Sequence, residues 1–298
     1  MLNNFFKVVA EIWKLQQNNL YAVGLIKISR VLYCPFTFFT LRLTCMKKII
    51  IANWKMNPDT SARAVALARE CEQEIASAKG LDVVLAPPYP FLREVASVLT
   101  VSSLGAQDVF WEESGAYTGE VSVRQLKDAG VEYVIIGHSE RRIVSGETDD
   151  MVRKKIQAVL EGSMAAILCV GERERSGGEI PAFVGAQVRS ALAGIKKTLL
   201  KNLIIAYEPV WAISTTSGAN GSCTPDMMFR ARLAIEKVVA DIYDQQISKT
   251  VRIIYGGSVS PENIATIFSA GHMDGALVGS AGLNAEKFGM IVRNASGV

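Results

Sequence analysis

From residue 47 onward the chain alternates, eight times over, between a short apolar run and a longer segment with helical character. The apolar runs fall at 48–52, 82–86, 101–106, 131–136, 164–170, 203–207, 251–255 and 274–278. Runs of this length, bounded by polar or turn-forming residues, read as buried strands. The helical patterns fall at 60–79, 88–99, 122–129, 148–162, 180–199, 224–246, 260–269 and 284–295. Several open on helix-start signals. Asp59-Thr60 precedes the first, and Thr224-Pro225-Asp226 and Ser260-Pro261-Glu262 each put a proline and an acid in the first turn. Eight strand-then-helix units in roughly 250 residues is the arithmetic of a closed (β/α)8 barrel. An open doubly wound sheet is the alternative, but no G-x-G-x-x-G turn follows the first strand.

The chain has 298 residues, 49% of them hydrophobic, enough for one barrel-sized domain or two smaller ones. No repeat of the solenoid type stands out. A formal net charge of +3 gives no global basic footprint, so nucleic acid is not an expected partner. The charge is unevenly placed. Residues 1–45 hold Lys7, Lys14, Lys27, Arg30 and Arg42 against Glu11 alone. This segment is rich in Phe, Leu, Tyr and Val and holds no catalytic pattern. Lys27, Arg30 and Arg42 interrupt its apolar runs, so no uninterrupted membrane span of about 18–20 residues exists there and no stable membrane insertion is expected. Three readings fit it: a targeting segment, an amphipathic surface anchor, or a stretch ahead of a natural start at Met46. The expected organisation is therefore an N-terminal extension at 1–45, outside the barrel, and a catalytic barrel at 46–298. The five cysteines, Cys34, Cys45, Cys71, Cys169 and Cys223, are scattered and show no C-x-x-C spacing. That suits free thiols in a reducing, cytoplasmic setting and argues for no metal cluster.

Several strands end on chemistry. Leu203 to Tyr207 delivers Glu208, and Pro209 stops the strand there. Ile49-Ile50-Ile51-Ala52 leads into Asn53-Trp54-Lys55, and Val134-Ile135-Ile136-Gly137 leads into His138-Ser139-Glu140-Arg141-Arg142. The C-terminal ends of barrel strands are where this architecture builds its active site. Taken singly, each residue has an ordinary explanation: a solvated carboxylate, an exposed lysine, a structural histidine. His272, ahead of a strand and outside any such motif, is read as that ordinary histidine.

Asn53-Trp54-Lys55-Met56-Asn57, Gly115-Ala116-Tyr117-Thr118-Gly119-Glu120, Gly137 to Arg142, the strand end at Glu208 and Tyr255-Gly256-Gly257-Ser258-Val259 occur in one order and spacing. Together they resemble the triosephosphate isomerase family over about residues 47 to 295. The resemblance implies interconversion of dihydroxyacetone phosphate and D-glyceraldehyde 3-phosphate, a step of glycolysis and gluconeogenesis, on a (β/α)8 (TIM) barrel. It implies no cofactor and no metal, since the species moved is a proton. Glu208 is then the base that takes a carbon-bound proton, and His138 the electrophile that polarises the carbonyl. Lys55 and Asn53 meet the negative charge of the enediolate. A helical turn opening at Ser139 directs its positive end at His138, which disfavours imidazolium. Glu140 holds Lys55, with Ser139 beside it, and Cys169 packs under Glu208. Ser214, Ser258, Gly279 and Ser280 serve the substrate, the last three from Gly-rich turns after strands seven and eight, where this fold commonly binds phosphate. Thr118 lies in a loop that inserts into a partner subunit near Asn53 and His138, which makes a homodimer.

The chain departs from the family at the lid. Ser214 and Thr216 stand where glycine is usual, Ser217 where lysine is usual, and Ser280 where a second glycine is usual. A lid keeps water out and holds the phosphate away from the geometry of elimination, so these changes imply altered lid kinetics and more leakage to methylglyoxal. Two competing readings remain: phosphate elimination as the main activity, and a catalytically weak homologue retained for binding.

Overall fold

The computed structural model describes residues 46–175, 180–213 and 223–297. The extension at 1–45 and the lid positions Ser214, Thr216 and Ser217 lie outside the described residues. The strands are β1 (Lys48–Asn53), β2 (Leu81–Ala86), β3 (Ser103–Ala106), β4 (Tyr133–Ile136), β5 (Ala165–Val170), β6 (Leu203–Tyr207), β7 (Arg252–Tyr255) and β8 (Gly275–Val278). All pair in parallel with their sequence neighbours, and β8 returns to β1 with Ile49 opposite Gly275, so the sheet closes. The expected (β/α)8 barrel is the fold observed.

The helices are α1 (Ser61–Ile75), α2 (Leu92–Ala96), α3 (Val123–Asp128), α4 (Ser139–Val144), α5 (Asp149–Glu161), α6 (Ala182–Leu192), α7 (Pro225–Ile242), α8 (Gln245–Ser248), α9 (Ile264–Ser269) and α10 (Ala285–Ser296). Side chains fix several of their starts. Thr60, Ser122, Thr148, Thr224 and Asn284 each accept a hydrogen bond from the backbone N–H three residues on. At Ser122 the bond is reciprocal, because the Gln125 side chain also accepts from the Ser122 N–H.

Apolar runs without alternation follow from two buried faces. Ile49, Ile51, Val84, Ile135, Ile167, Ile204, Ala206, Ile254 and Leu277 fill the barrel interior. Their neighbours, such as Ile50, Leu85, Ile136, Leu168 and Ile205, pack outward against the helices. The third strand begins later than its apolar run. The backbone N–H groups of Thr100, Val101 and Ser102 donate not to a neighbouring strand but to the buried carboxylate of Glu72, at 2.6, 2.7 and 3.0 Å. The pattern at 88–99 splits into a 3-10 turn over Tyr89–Phe91 and α2, where Pro90 lacks the N–H a continuous helix needs.

Candidate active site

The inward-facing parity of two strands carries the site upward from the core. Ile49 and Ile51 face the barrel interior, and Asn53 continues that face to the C-terminal mouth of β1, where it is buried. Ile204 and Ala206 do the same on β6 and are followed by Glu208. Lys55 follows Asn53 with a left-handed backbone, φ 54°. For a residue with a side chain that conformation is unfavourable and persists only where the surroundings enforce it. Here the Lys55 N–H donates to Asn53 Oδ1 at 3.0 Å, and its carbonyl accepts from Gln107 Nε2 at 2.8 Å. Its ammonium forms an ion pair with Glu140 Oε1 at 2.5 Å.

At the end of β4, Gly137 turns the chain with φ 70°, and His138 becomes the N-cap of α4. Imidazole Nδ1 accepts from the Glu140 N–H at 3.3 Å. A nitrogen that accepts carries no proton, so the hydrogen-bond network assigns the ring's proton to Nε2. Nε2 lies 3.3 Å from Glu208 Oε1. The other carboxylate oxygen, Oε2, accepts from the Ser139 N–H at 3.0 Å. The first turn of α4 therefore touches three groups at once: the imidazole, the carboxylate and, through the Glu140 side chain, the lysine. Glu208 is 2% exposed and its Oε1 carries no hydrogen bond. Cys169, from β5, is fully buried against it. Burial first, then the adjacent Glu208, push the thiol's pKa well above its ordinary value.

Asn53, Lys55 and His138 open onto one cleft. Gly256, Gly257 and Ser258 after β7 and Gly279 and Ser280 after β8 line the same cleft. Ile213, Val259 and Leu277 give it apolar walls. The Gly256 N–H is engaged by the Tyr207 carbonyl at 2.8 Å, and Ser258 Oγ donates to the Ala212 carbonyl at 2.9 Å. The Glu208 carboxylate is in contact with the imidazole but does not itself line the cleft. Gly256 leaves room beside it: a Cβ there would stand 2.9 Å from Glu208 Cγ. Thr118 is exposed on the 107–122 segment, outside the cleft. That segment is braced by the Phe110 N–H bond to the Val121 carbonyl and by Tyr117 packed on Phe110. His272 stacks on Phe229 and takes no part in the cleft. Ser214 lies outside the described residues.

Three features escaped the sequence reading. Gln107 donates to the Lys55 and Ala86 carbonyls; its signal was present, a polar residue closing an apolar run. Buried Glu172 accepts from Tyr207 Oη at 2.7 Å and Trp211 Nε1 at 3.0 Å, tying the segment after β6 to the loop after β5. Arg141, on α4, is bound by Asp108 at 2.8 Å and Glu147 at 2.6 Å, and both acids also hold Lys155. Burial raises Asp108 to about 6 in spite of its cations. Glu147 is buried too, but its bonds to Lys155 and Arg141 hold it below the ordinary range. Nothing in residue spacing announces such a cluster, since its members come from four segments. Among the described residues, no group of three or more His, Cys, Asp or Glu is placed to hold a metal ion.

A family model described as triosephosphate isomerase matches residues 48–295. A triosephosphate isomerase of Dictyoglomus turgidum is 42% identical over 252 residues, covering 83% of this chain and 99% of that protein. One of Geotalea uraniireducens is 44% identical over 251 residues, 83% of this chain and 98% of its own. One of Caldanaerobacter subterraneus is 45% identical over 250 residues, with 83% and 98% covered.

Proposed function

The chain belongs to the triosephosphate isomerase family, and from that premise we propose how its own residues carry the interconversion of dihydroxyacetone phosphate and D-glyceraldehyde 3-phosphate. The observation that carries the assignment is the contact of His138 Nε2 with Glu208 Oε1 at 3.3 Å, with Nδ1 held as an acceptor on the other side of the ring. A triose phosphate in the cleft presents a C–H made acidic by the adjacent carbonyl. Glu208 removes that proton once its carboxylate swings from the Ser139 N–H into the cleft, over the space left by Gly256. The carbonyl oxygen meanwhile receives a hydrogen bond from His138 Nε2–H, and the charge it gains is met by the Lys55 ammonium and Asn53. Donors aimed at charge that develops only in the transition state accelerate the step instead of merely binding substrate. The proton then returns to the neighbouring carbon, with His138 moving protons between the two oxygens. The turns at Gly257-Ser258 and Gly279-Ser280 hold the phosphate, and Ser214 completes that end from the lid.

The working unit in this reading is a homodimer. Met56, next to the Lys55 motif, is 92% exposed, Val144 on α4 is 83% exposed, and Tyr117 next to Thr118 is 45% exposed. Apolar side chains this open beside a catalytic cleft suit burial by the 107–122 arm of a second copy. A cytoplasmic location fits Cys71, Cys169 and Cys223, which are buried free thiols. No described helix is long and apolar enough to cross a membrane.

A coupled assay on the purified protein, with Glu208→Asp alongside, tests this reading. Shortening the acid retracts the carboxylate by about 1 Å and lowers kcat on the order of 10²-fold. Release of methylglyoxal and phosphate as the main products would point to elimination instead. Equal rates for the two proteins would remove Glu208 from the chemistry.

A further inference from the structure

Two serines, Ser258 and Ser280, line the cleft, and they are differently engaged. Ser258 Oγ donates to the Ala212 carbonyl at 2.9 Å, which ties the turn after β7 to the segment after β6. Ser280 is exposed, lines the same cleft, and directs its hydroxyl to no described residue. It stands one residue beyond Gly279. A Cβ on Gly279 would lie 3.8 Å from Lys55 Cε, so the turn after β8 runs along the stem of the catalytic lysine. Ser280 thus follows the residue along which the Lys55 stem runs, in the same cleft. Among the described lining residues, Ser280 offers a side-chain donor that folding has not already occupied.

We propose that the Ser280 hydroxyl is a specificity-determining donor to the phosphate monoester of the substrate, added to the backbone donors of the two turns. This rests on the reading of the cleft given above. A hydroxyl rotates freely about its C–O bond and meets a tetrahedral phosphate oxygen from a range of angles. Donation to an anionic oxygen is charge-assisted and shorter than an ordinary hydrogen bond. The phosphate does not react, so the contact forms equally in the ground and transition states. Such uniform binding shows in KM and not in kcat.

The test uses Ser280→Ala, Ser280→Gly and Ser280→Thr. Ala keeps the backbone N–H and loses only the hydroxyl, Gly loses Cβ as well, and Thr keeps both N–H and hydroxyl. Ala and Gly are expected to raise KM for glyceraldehyde 3-phosphate roughly three- to tenfold, the range of a single lost hydrogen bond. The inhibition constant for inorganic phosphate rises by the same factor, and Thr restores both. The ratio of kcat/KM for glyceraldehyde 3-phosphate to that for phosphate-free glyceraldehyde falls accordingly. KM and phosphate inhibition at wild-type values in Ser280→Ala would overturn the inference, as would an equal loss on both substrates. Neither result would touch the assignment of Glu208 and His138. A wild-type protein that fails to isomerise triose phosphate would overturn both.

Discussion

At the residue scale, two buried acids show how environment sets role. Glu208 has one oxygen on the Ser139 N–H and the other without a hydrogen bond beside an imidazole. Glu72 is saturated. It accepts from the N–H groups of Thr100, Val101 and Ser102 and from the hydroxyls of Thr100 and Ser102. Burial alone would raise its pKa, but those bonds to the charged form hold it below the ordinary value. A carboxyl whose folded pKa is lowered stabilises the fold above its unfolded value, about 4.3, and that contribution is lost as pH falls through the folded pKa. Glu72→Gln is therefore expected to be less stable by about 1–3 kcal/mol at pH 7. The gap should close as pH is lowered toward 3 in urea unfolding. A gap that stays constant with pH would mean the charge is irrelevant.

At the element scale, α4 is the part on which the site is assembled. It is only six residues long, Ser139–Val144, too short to be stable by itself. Arg141 fastens it from below through Asp108 and Glu147, with Lys155 of α5 joining the two acids. Lys155 is 2% exposed. Lys155→Met leaves two buried carboxylates sharing one guanidinium and is expected to destabilise the fold by about 3–5 kcal/mol. Isomerase activity should fall at lower urea than bulk unfolding, because the α4 turn that holds His138 loses its support first. Coincident loss of activity and fold, at the wild-type midpoint, would show that the cluster supports nothing specific. How far this arrangement is legible in sequence differs by element. The strands announce themselves through Ile, Val and Leu runs, and β1, β4 and β6 through the polar residues that end them. The Arg141 cluster and the Glu172–Trp211 tie are not legible, because a contact between distant segments leaves no local pattern. Gln107 was legible in kind, as one more polar strand end. It passed unnoticed because its role is to hold a backbone, not to meet a substrate.

At the scale of the whole molecule, closure of the barrel brings Asn53 on β1, His138 after β4 and Glu208 after β6 to one mouth. Parallel strands leave their C-terminal ends on one face, so Asn53 and Ser280, separated by more than a hundred positions, line one cleft. The proposed dimer belongs to this scale. Tyr117→Asp puts a charge on an exposed aromatic of the 107–122 arm and is expected to shift sedimentation to the mass of one chain, with a lower kcat. A fully active monomer would show that each barrel works alone. The central claim is that Glu208 carries a carbon-bound proton within this one mouth, and hydrogen exchange during turnover tests it most directly. In deuterium oxide a proton that passes through a carboxyl is open to exchange with solvent before it returns, whereas a direct shift between the carbons is not. Glyceraldehyde 3-phosphate isomerised by the wild-type protein should give dihydroxyacetone phosphate carrying deuterium on carbon, seen by proton NMR. Glu208→Asp should form the same labelled product on the order of 10²-fold more slowly. Labelling as fast in Glu208→Asp as in the wild type would contradict the account.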